Sequence, residues 1–187
     1  RYGILSMHNS PASNTSNRGI IRNCVVDSGR RFKMDFYTYE LEDGIKLFNG
    51  ANYWEVYNNT VSDWGHSGIA IATNDNRYTT SYNKIYSNTV TARNVDYCRG
   101  ISTEGPPGTC RYNEITRNLV RETTVRNQIN GEYNIFAYNL IDTVRNVAYR
   151  GNGTGQGISL EGYGGFACNN NGIYNNVILN CDEPGIQ

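Results

Sequence analysis

The stretch Ile85-Tyr86-Ser87-Asn88-Thr89-Val90 carries a pattern that returns along the whole chain: an apolar residue, two variable residues, Asn, one variable residue and a second apolar residue. Successive asparagines of this pattern lie 36, 29, 30, 21 and 37 residues apart. Self-similarity over such periods is typical of solenoids, in which each repeat is one turn of a coil. The six asparagines are Asn23, Asn59, Asn88, Asn118, Asn139 and Asn176.

The asparagine pattern predicts short strands that meet at a corner. Side chains of a strand alternate between the interior and the outside. An Asn at the corner tolerates the left-handed backbone conformation that a sharp bend needs. Stacked coils place equivalent asparagines roughly 4.8 Å apart, so we expect their amides to form a hydrogen-bonded ladder.

Two further patterns accompany the first. Gly-Ile followed by a variable residue begins at Gly44, Gly68, Gly100, Gly157 and Gly185. A tyrosine stands three residues before four of the apolar anchors, at Tyr53, Tyr82, Tyr112 and Tyr133, and an asparagine two residues before four of them, at Asn83, Asn113, Asn134 and Asn171. A column of tyrosines either covers apolar surface or offers rings to a sugar, and both interpretations stay open.

The composition agrees with a β-rich chain. The 187 residues include 27 Asn, 20 Gly and 15 Tyr but only 3 Lys and 8 Ala, which disfavours helix and favours strands with tight turns. Seventeen basic residues balance 17 acidic ones, so we expect no nucleic-acid partner. No apolar run is long enough for a membrane span.

The cysteines and the Asn-rich, Lys-poor composition predict a secreted or cell-surface protein. None of the five cysteines forms a Cys-x-x-Cys pair, so a structural zinc site is not expected. Cys98 and Cys110 flank a turn-rich segment and are the first expected disulfide.

The combination of the Asn pattern with the Gly-Ile strands resembles the repeats of right-handed parallel β-helix proteins of the pectate-lyase-like superfamily, from about Gly19 to Gln187. The resemblance implies an all-β fold, a right-handed parallel β-helix of about six to seven coils with loops of variable length. It also implies that a glycan-binding groove lies on the sheet built from the Gly-Ile strands. That superfamily includes lyases, glycosidases, epimerases, esterases and binding proteins, so fold alone does not assign an activity.

Three carboxylates are expected on the groove sheet. Alternation from the Gly-Ile strands points Glu104 and Glu161 outward, and Glu132 of the intervening coil is placed in the same stripe. Such a stripe has two functional interpretations: a calcium site formed by Glu104, Glu132 and Glu161, or a pair of carboxylates for glycoside hydrolysis. An exposed polar face without function is the third interpretation.

Other candidates on the groove sheet are cationic, titratable or polar. Lys46 projects from a groove strand, and His66 leads into the next one, so we assign catalytic roles to Lys46, His66, Glu104 and Glu161. β-Elimination on a uronate needs a base and a cation that stabilises the enolate-like intermediate, and the arginines considered for the cation are Arg77 and Arg99. The expected substrate-binding residues are Arg77, Arg99, Gln128, Asn130 and Tyr163. The signatures of polygalacturonases are missing, so that family is rejected.

The sequence thus predicts a secreted, carbohydrate-active β-helix protein that acts on a polysaccharide or oligosaccharide, by a lyase reaction ahead of hydrolysis. The alternative is a non-catalytic glycan-binding, adhesin or surface module. No cofactor other than a possible calcium ion is expected. Both ends of the sequence read as Gly-Ile strands without a cap, so we expect residues 1–187 to be one β-helix segment of a longer protein, whose remaining coils or capping domain would be its partners.

Overall fold

The computed structural model describes residues 2–7, 18–28, 43–93, 98–146, 155–162 and 168–187. Throughout these residues the chain forms strands and turns, without a helix, and so without one that could cross a membrane. Eighteen strands form three parallel sheets of six strands each, and each coil contributes one strand to each sheet. The chain is a right-handed parallel β-helix of about six coils, as the repeats predict.

The first sheet carries the Gly-Ile strands and is called the groove sheet. It contains β1 (Tyr2–Met7), β4 (Asp43–Phe48), β7 (Ser67–Ala72), β10 (Arg99–Glu104), β13 (Asn127–Ile129) and β16 (Ile158–Leu160). The second sheet contains β2 (Gly19–Arg22), β5 (Trp54–Tyr57), β8 (Lys84–Tyr86), β11 (Glu114–Thr116), β14 (Ile135–Ala137) and β17 (Gly172–Tyr174). The third contains β3 (Val25–Asp27), β6 (Thr60–Ser62), β9 (Thr89–Thr91), β12 (Leu119–Thr123), β15 (Leu140–Val144) and β18 (Val177–Cys181).

The core is a set of aliphatic columns between the three sheets. Ile45, Ile69 and Ile101 are paired from strand to strand in the groove sheet, and all three are fully buried. Equivalent columns come from the other two sheets, for example Val56 with Ile85 and Val61 with Val90. Burial of like side chains above one another is what fixes the register, because a one-residue slip would expose a whole column.

The asparagine ladder forms at the corner between the second and third sheets. The side-chain oxygen of Asn118 accepts the backbone N–H of Asn88 and its side-chain amide, both at 3.0 Å. The same two bonds link Asn59 to Asn88, Asn118 to Asn139, and Asn139 to Asn176. Each amide also donates to a backbone carbonyl of an adjacent coil, such as Val56 for Asn88. The ladder therefore satisfies buried polar groups on every coil that it crosses.

Two details of the ladder differ from the prediction. The left-handed residue is not the ladder asparagine but the residue before it, which is Asn58, Ser87, Arg117, Tyr138 or Asn175. In the first coil Asn23 takes this left-handed position, and Cys24 stands at the ladder position, because Ile21 pairs with Val56 and Arg22 with Tyr57.

A second asparagine ladder lies at the corner between the groove sheet and the second sheet. Backbone N–H groups of Asn83, Asn113 and Asn134 donate to the side-chain oxygen of the next asparagine, ending at Asn171. The preceding tyrosines hold the left-handed conformation, and their rings stack at 5.0–5.1 Å between centroids. The stacked residues are Tyr53, Tyr82, Tyr112 and Tyr133. Because the rings face one another, each ring between two others in the stack has both faces covered, which supports a covering role for the column.

The five cysteines are all free thiols, so the expected disulfide between Cys98 and Cys110 is absent. Both of these thiols are fully buried, and burial raises their pKa, in the case of Cys110 to about 11. The turn-rich spacing between them had suggested a bridge, but each sulfur instead packs among its own neighbours. Cys110, for example, contacts the backbone oxygen of Glu104.

Candidate functional site

The outer face of the groove sheet presents two rows of side chains. One row runs through Lys46, Ala70, Ser102, Gln128 and Ser159, and the other through Phe48, Ala72, Glu104, Asn130 and Glu161. Rows of this kind arise because parallel strands in register stack residues of consecutive coils about 4.8 Å apart. The candidate site lies where charged side chains from the coils of β4, β7 and β10 meet.

Asp43 is the centre of the charged cluster, although no repeat pattern of the sequence points to it. Its carboxylate is fully buried and lies 2.8 Å from the Lys46 ammonium through one oxygen and 2.8 Å from Nδ1 of His66 through the other. Burial would raise the pKa of Asp43, but the hydrogen bond from His66 and the charge of Lys46 outweigh burial and hold that pKa below its ordinary value. Asp43 is therefore an ionised carboxylate that orients the imidazole.

His66 connects the buried carboxylate with the edge of the cluster. Its Nε2 lies 2.9 Å from a terminal guanidinium nitrogen of Arg99. An arginine side chain can only donate hydrogen bonds, so Nε2 accepts and the proton of the neutral ring is on Nδ1, facing Asp43. The arrangement fixes one tautomer, with a lone pair on Nε2 directed at the outer part of the site.

Glu104 closes the cluster on the outer side. The terminal nitrogen of Arg99 that contacts His66 also donates to Glu104 at 2.7 Å, and the Ser102 hydroxyl donates to the same carboxylate oxygen at 2.7 Å. The second oxygen of Glu104 lies 3.8 Å from Nε2 of His66. Burial would raise the pKa of Glu104, but the charges of Arg99 and His66 and the hydrogen bond from Ser102 outweigh burial and lower that pKa.

The cluster has a buried side and an accessible side. Asp43, Lys46 and His66 are buried, whereas the side chains of Arg99 and Glu104 are 13% and 23% exposed. A ligand that approaches the groove sheet therefore meets Arg99 and Glu104 first. His66 is buried and contacts Arg99 through its Nε2.

Some predicted groove residues lie farther along the same sheet. Glu161 is two coils beyond Glu104 and pairs with Arg126 at 2.6 Å and with the hydroxyl of Ser159 at 3.1 Å. Gln128 and Asn130 lie on the intervening coil, and both are buried with a side-chain oxygen that accepts no hydrogen bond. Both oxygens are therefore buried acceptors without a hydrogen-bond partner.

Glu132 does not join the stripe of carboxylates that the sequence predicted. Ser102 pairs with Gln128, and Ile129 with Leu160, so Asn130 lies between Glu104 and Glu161. The strand β13 has Asn127 in the interior position that Ile occupies elsewhere, and without the Gly-Ile signal its register could not be read. No group of three or more His, Cys, Asp or Glu side chains suited to a metal ion occurs within the described ranges.

Two predicted substrate-binding residues lie apart from the cluster. Arg77 is on the exposed turn that follows β7 and forms an ion pair with Asp75. Tyr163 lies outside the described residues. The structure thus brings together Lys46, His66, Arg99 and Glu104 of the predicted residues.

Comparison of this chain with protein-family models, with curated proteins and with solved structures found no match. Its function is therefore argued from the geometry of the site.

Proposed function

We propose that this chain is a secreted carbohydrate-active protein that cleaves an acidic polysaccharide by β-elimination. The observation that carries the proposal is the imidazole of His66, which Asp43 holds in one tautomer beside the cationic Arg99. This arrangement combines a base with a cation, the two groups that β-elimination at a uronate requires. The resemblance to the pectate-lyase-like superfamily adds support, because it predicts a glycan groove on this same sheet.

The proposed β-elimination consists of proton removal followed by departure of the glycosidic oxygen. A base removes the proton from the carbon next to the uronate carboxylate, and the electron pair enters the carboxylate as an enolate-like anion. Collapse of that anion forms a carbon–carbon double bond and breaks the bond to the glycosidic oxygen, which leaves and takes up a proton. No water, oxidant or reductant is consumed.

The position of each residue in the cluster suggests its role in the reaction. We assign the base to Nε2 of His66, since it carries the lone pair nearest the accessible side. Arg99 would bind the substrate carboxylate and stabilise the negative charge that develops there. The Lys46 ammonium is buried 2.8 Å from Asp43, so we assign it to support of the ionised Asp43 and not to contact with the sugar. We assign Gln128 and Asn130 to binding of sugar hydroxyls because their coil lies between those of Glu104 and Glu161.

Hydrolysis is supported less well than elimination. Glu104 and Glu161 are two coils apart, about 10 Å at the spacing of parallel strands, whereas paired carboxylates of glycosidases lie about 5–9.5 Å apart. The lowered pKa of Glu104 also disfavours the protonated form that a general acid needs. The proposal assigns no role to calcium, because Asn130 separates the two carboxylates.

A second candidate is a glycan-binding module without catalysis. The burial of Lys46, His66 and Ser102 favours it, because a base must reach the substrate. The two candidates differ in one measurable result: only the lyase releases unsaturated sugars.

The test is a screen of uronate and neutral polysaccharides, with ultraviolet absorbance to detect unsaturated ends and a reducing-end assay to detect hydrolysis. We expect unsaturated product from a uronate polymer, and the His66→Ala variant should lower kcat about 10²–10⁴-fold. The matched control is Lys84→Ala, which removes an exposed cation of the second sheet and should leave the rate unchanged. Reducing ends without unsaturated product would indicate hydrolysis, and binding without either product would indicate the module.

A further inference from the structure

We propose that Arg99 is a cap on the base, which only an anionic group of the ligand removes. The cap is the hydrogen bond at 2.9 Å from the Arg99 guanidinium to Nε2 of His66. A neutral imidazole has one lone pair, and here the guanidinium occupies it, so the base is blocked in the unliganded protein. The inference rests on the proposed function and adds to it a reason why the site would select charged sugars.

The exchange is favourable because of the partners involved. When the guanidinium turns, it loses its bond to the neutral Nε2 of His66 and its bond to the ionised Glu104. Guanidinium and carboxylate can form two parallel hydrogen bonds in which both partners are ionised, so the exchange replaces one neutral acceptor with an ionised one. A bound carboxylate therefore competes well for Arg99, whereas a methyl ester or a hydroxyl does not.

The surroundings of Arg99 allow this movement. Its side chain is partly exposed, on the side where a ligand would arrive. Glu104 stays in place when the guanidinium turns, because the hydroxyl of Ser102 also holds its carboxylate at 2.7 Å. His66 stays in place as well, because Asp43 holds its other nitrogen and Lys46 fixes Asp43. The side chain of Arg99 thus moves while His66 and Glu104 remain oriented.

The cap makes substrate charge a condition of activity. An acidic residue in the groove frees Nε2 beside its own reactive carbon, whereas a neutral residue leaves Nε2 occupied. Arg99 is thus a specificity-determining residue. We expect the wild type to prefer an acid over its methyl ester, and the Arg99→Gln variant to lose about ten- to hundredfold of that preference.

The test uses ¹⁵N NMR of the imidazole nitrogens in the whole chain. The chain has two histidines, His8 and His66, and the His8→Gln variant identifies the His66 signals. We expect an unprotonated Nε2 that accepts a hydrogen bond, and in Arg99→Gln its resonance should move toward that of a nitrogen without a bond. The matched control is Arg126→Gln, which removes an arginine paired to Glu161 on the same sheet and should leave the resonance unmoved.

Ligands complete the test. Trisaccharides of galacturonate, glucuronate and mannuronate are added separately, each beside its methyl ester, and calorimetry records which of them bind. A binding acid should move Nε2 in the same direction as Arg99→Gln, and its ester should not. An Nε2 signal that is protonated without ligand, that ignores Arg99→Gln, or that ignores a bound acid overturns the cap, and so does the absence of binding by every acid.

The polysaccharide screen distinguishes this failure from that of the proposed function. If unsaturated product forms but the Nε2 resonance does not move, the lyase proposal holds and the cap is refuted. If the Nε2 resonance moves but no unsaturated product forms, the cap holds and the lyase proposal is refuted.

Discussion

Replacement of a single ladder asparagine is expected to destabilise the whole coil stack. Asn88 is buried, and its side-chain oxygen accepts two hydrogen bonds from Asn59, one from the backbone N–H at 3.1 Å and one from the amide at 2.9 Å. Its amide donates to the carbonyls of Val56 and Tyr86 and to the side-chain oxygen of Asn118. Asn88→Ala removes all five bonds while the backbone of the corner can remain in place.

The magnitude follows from the groups that lose their last partner. The Asn59 amide keeps its bond to the carbonyl of Ile21, and the oxygen of Asn118 keeps the backbone N–H of residue 88. The backbone N–H of Asn59 is left without its side-chain partner inside the protein. A buried group of this kind costs about 1–3 kcal/mol, so Asn88→Ala should lower the free energy of unfolding by about 1–3 kcal/mol.

The assay is urea unfolding at neutral pH, in which the loss appears as a shift of the midpoint at unchanged slope. The matched control is Asn74→Ala, because Asn74 lies on an exposed turn and a surface change of this kind costs about 0.5 kcal/mol or less. A loss for Asn88→Ala no larger than that of Asn74→Ala would refute the reasoning that the ladder stabilises the fold.

Three further predictions concern packing, pH and thiols. Gly157→Ala should cost about 1–3 kcal/mol in thermal or urea unfolding, because its Cβ would lie 2.5 Å from Ile178 and 2.6 Å from the carbonyl of Gly185; Gly185→Ala, with its nearest neighbour at 3.5 Å, should be tolerated. The pKa values of Asp43 and Glu104 are lowered in the folded state, so their stabilising effect is complete above the ordinary pKa of about 4 and is lost as the pH falls through the lower folded values. The free energy of unfolding should therefore decline below about pH 4, and the decline should be smaller in Asp43→Asn than in the wild type. An equal decline in both proteins would contradict a lowered pKa for Asp43. Cys98 and Cys110 should react with a thiol reagent only after unfolding, as mapped by mass spectrometry, because both are buried with a raised pKa; fast labelling of the native chain would contradict it.

The repeats were sufficient to predict the coils and the ladder because both depend on residues that recur in the same relative order. They were not sufficient to predict which residue adopts the left-handed conformation at the corner. Ser87, Arg117 and Tyr138 hold the left-handed conformation although none of them favours it locally. Ladder bonds and the buried columns on both sides impose this conformation. The preference of Asn for it therefore led to the wrong prediction that the ladder asparagine, and not the residue before it, is left-handed.

The candidate site was partly readable for the same reason. Lys46 and Glu104 follow Gly-Ile by one and three positions, and counting alternate residues from the buried Ile places both on the outer face. Glu132 was misplaced because β13 offers no Gly-Ile from which to count. Asp43 was missed because alternation fails at the start of β4: a Cβ on Gly44 would meet Val61 and Trp64, and Ile45 is also buried. Because Gly44 and Ile45 both face inward, Asp43 lies on the same outer face as Lys46.

Contacts between coils are the part of the site that a single sequence cannot supply. Asp43 and His66 are 23 residues apart and His66 and Arg99 are 33 residues apart, yet each pair is joined by one hydrogen bond. Such pairs depend on how many residues each coil uses to return to the groove sheet, and these numbers vary from coil to coil. His66 also stands outside the strand, one residue before β7, where alternation makes no prediction. The direction of its ring is set by the carboxylate of the coil before and the guanidinium of the coil after, so the tautomer that the proposed chemistry uses exists only when three coils are stacked.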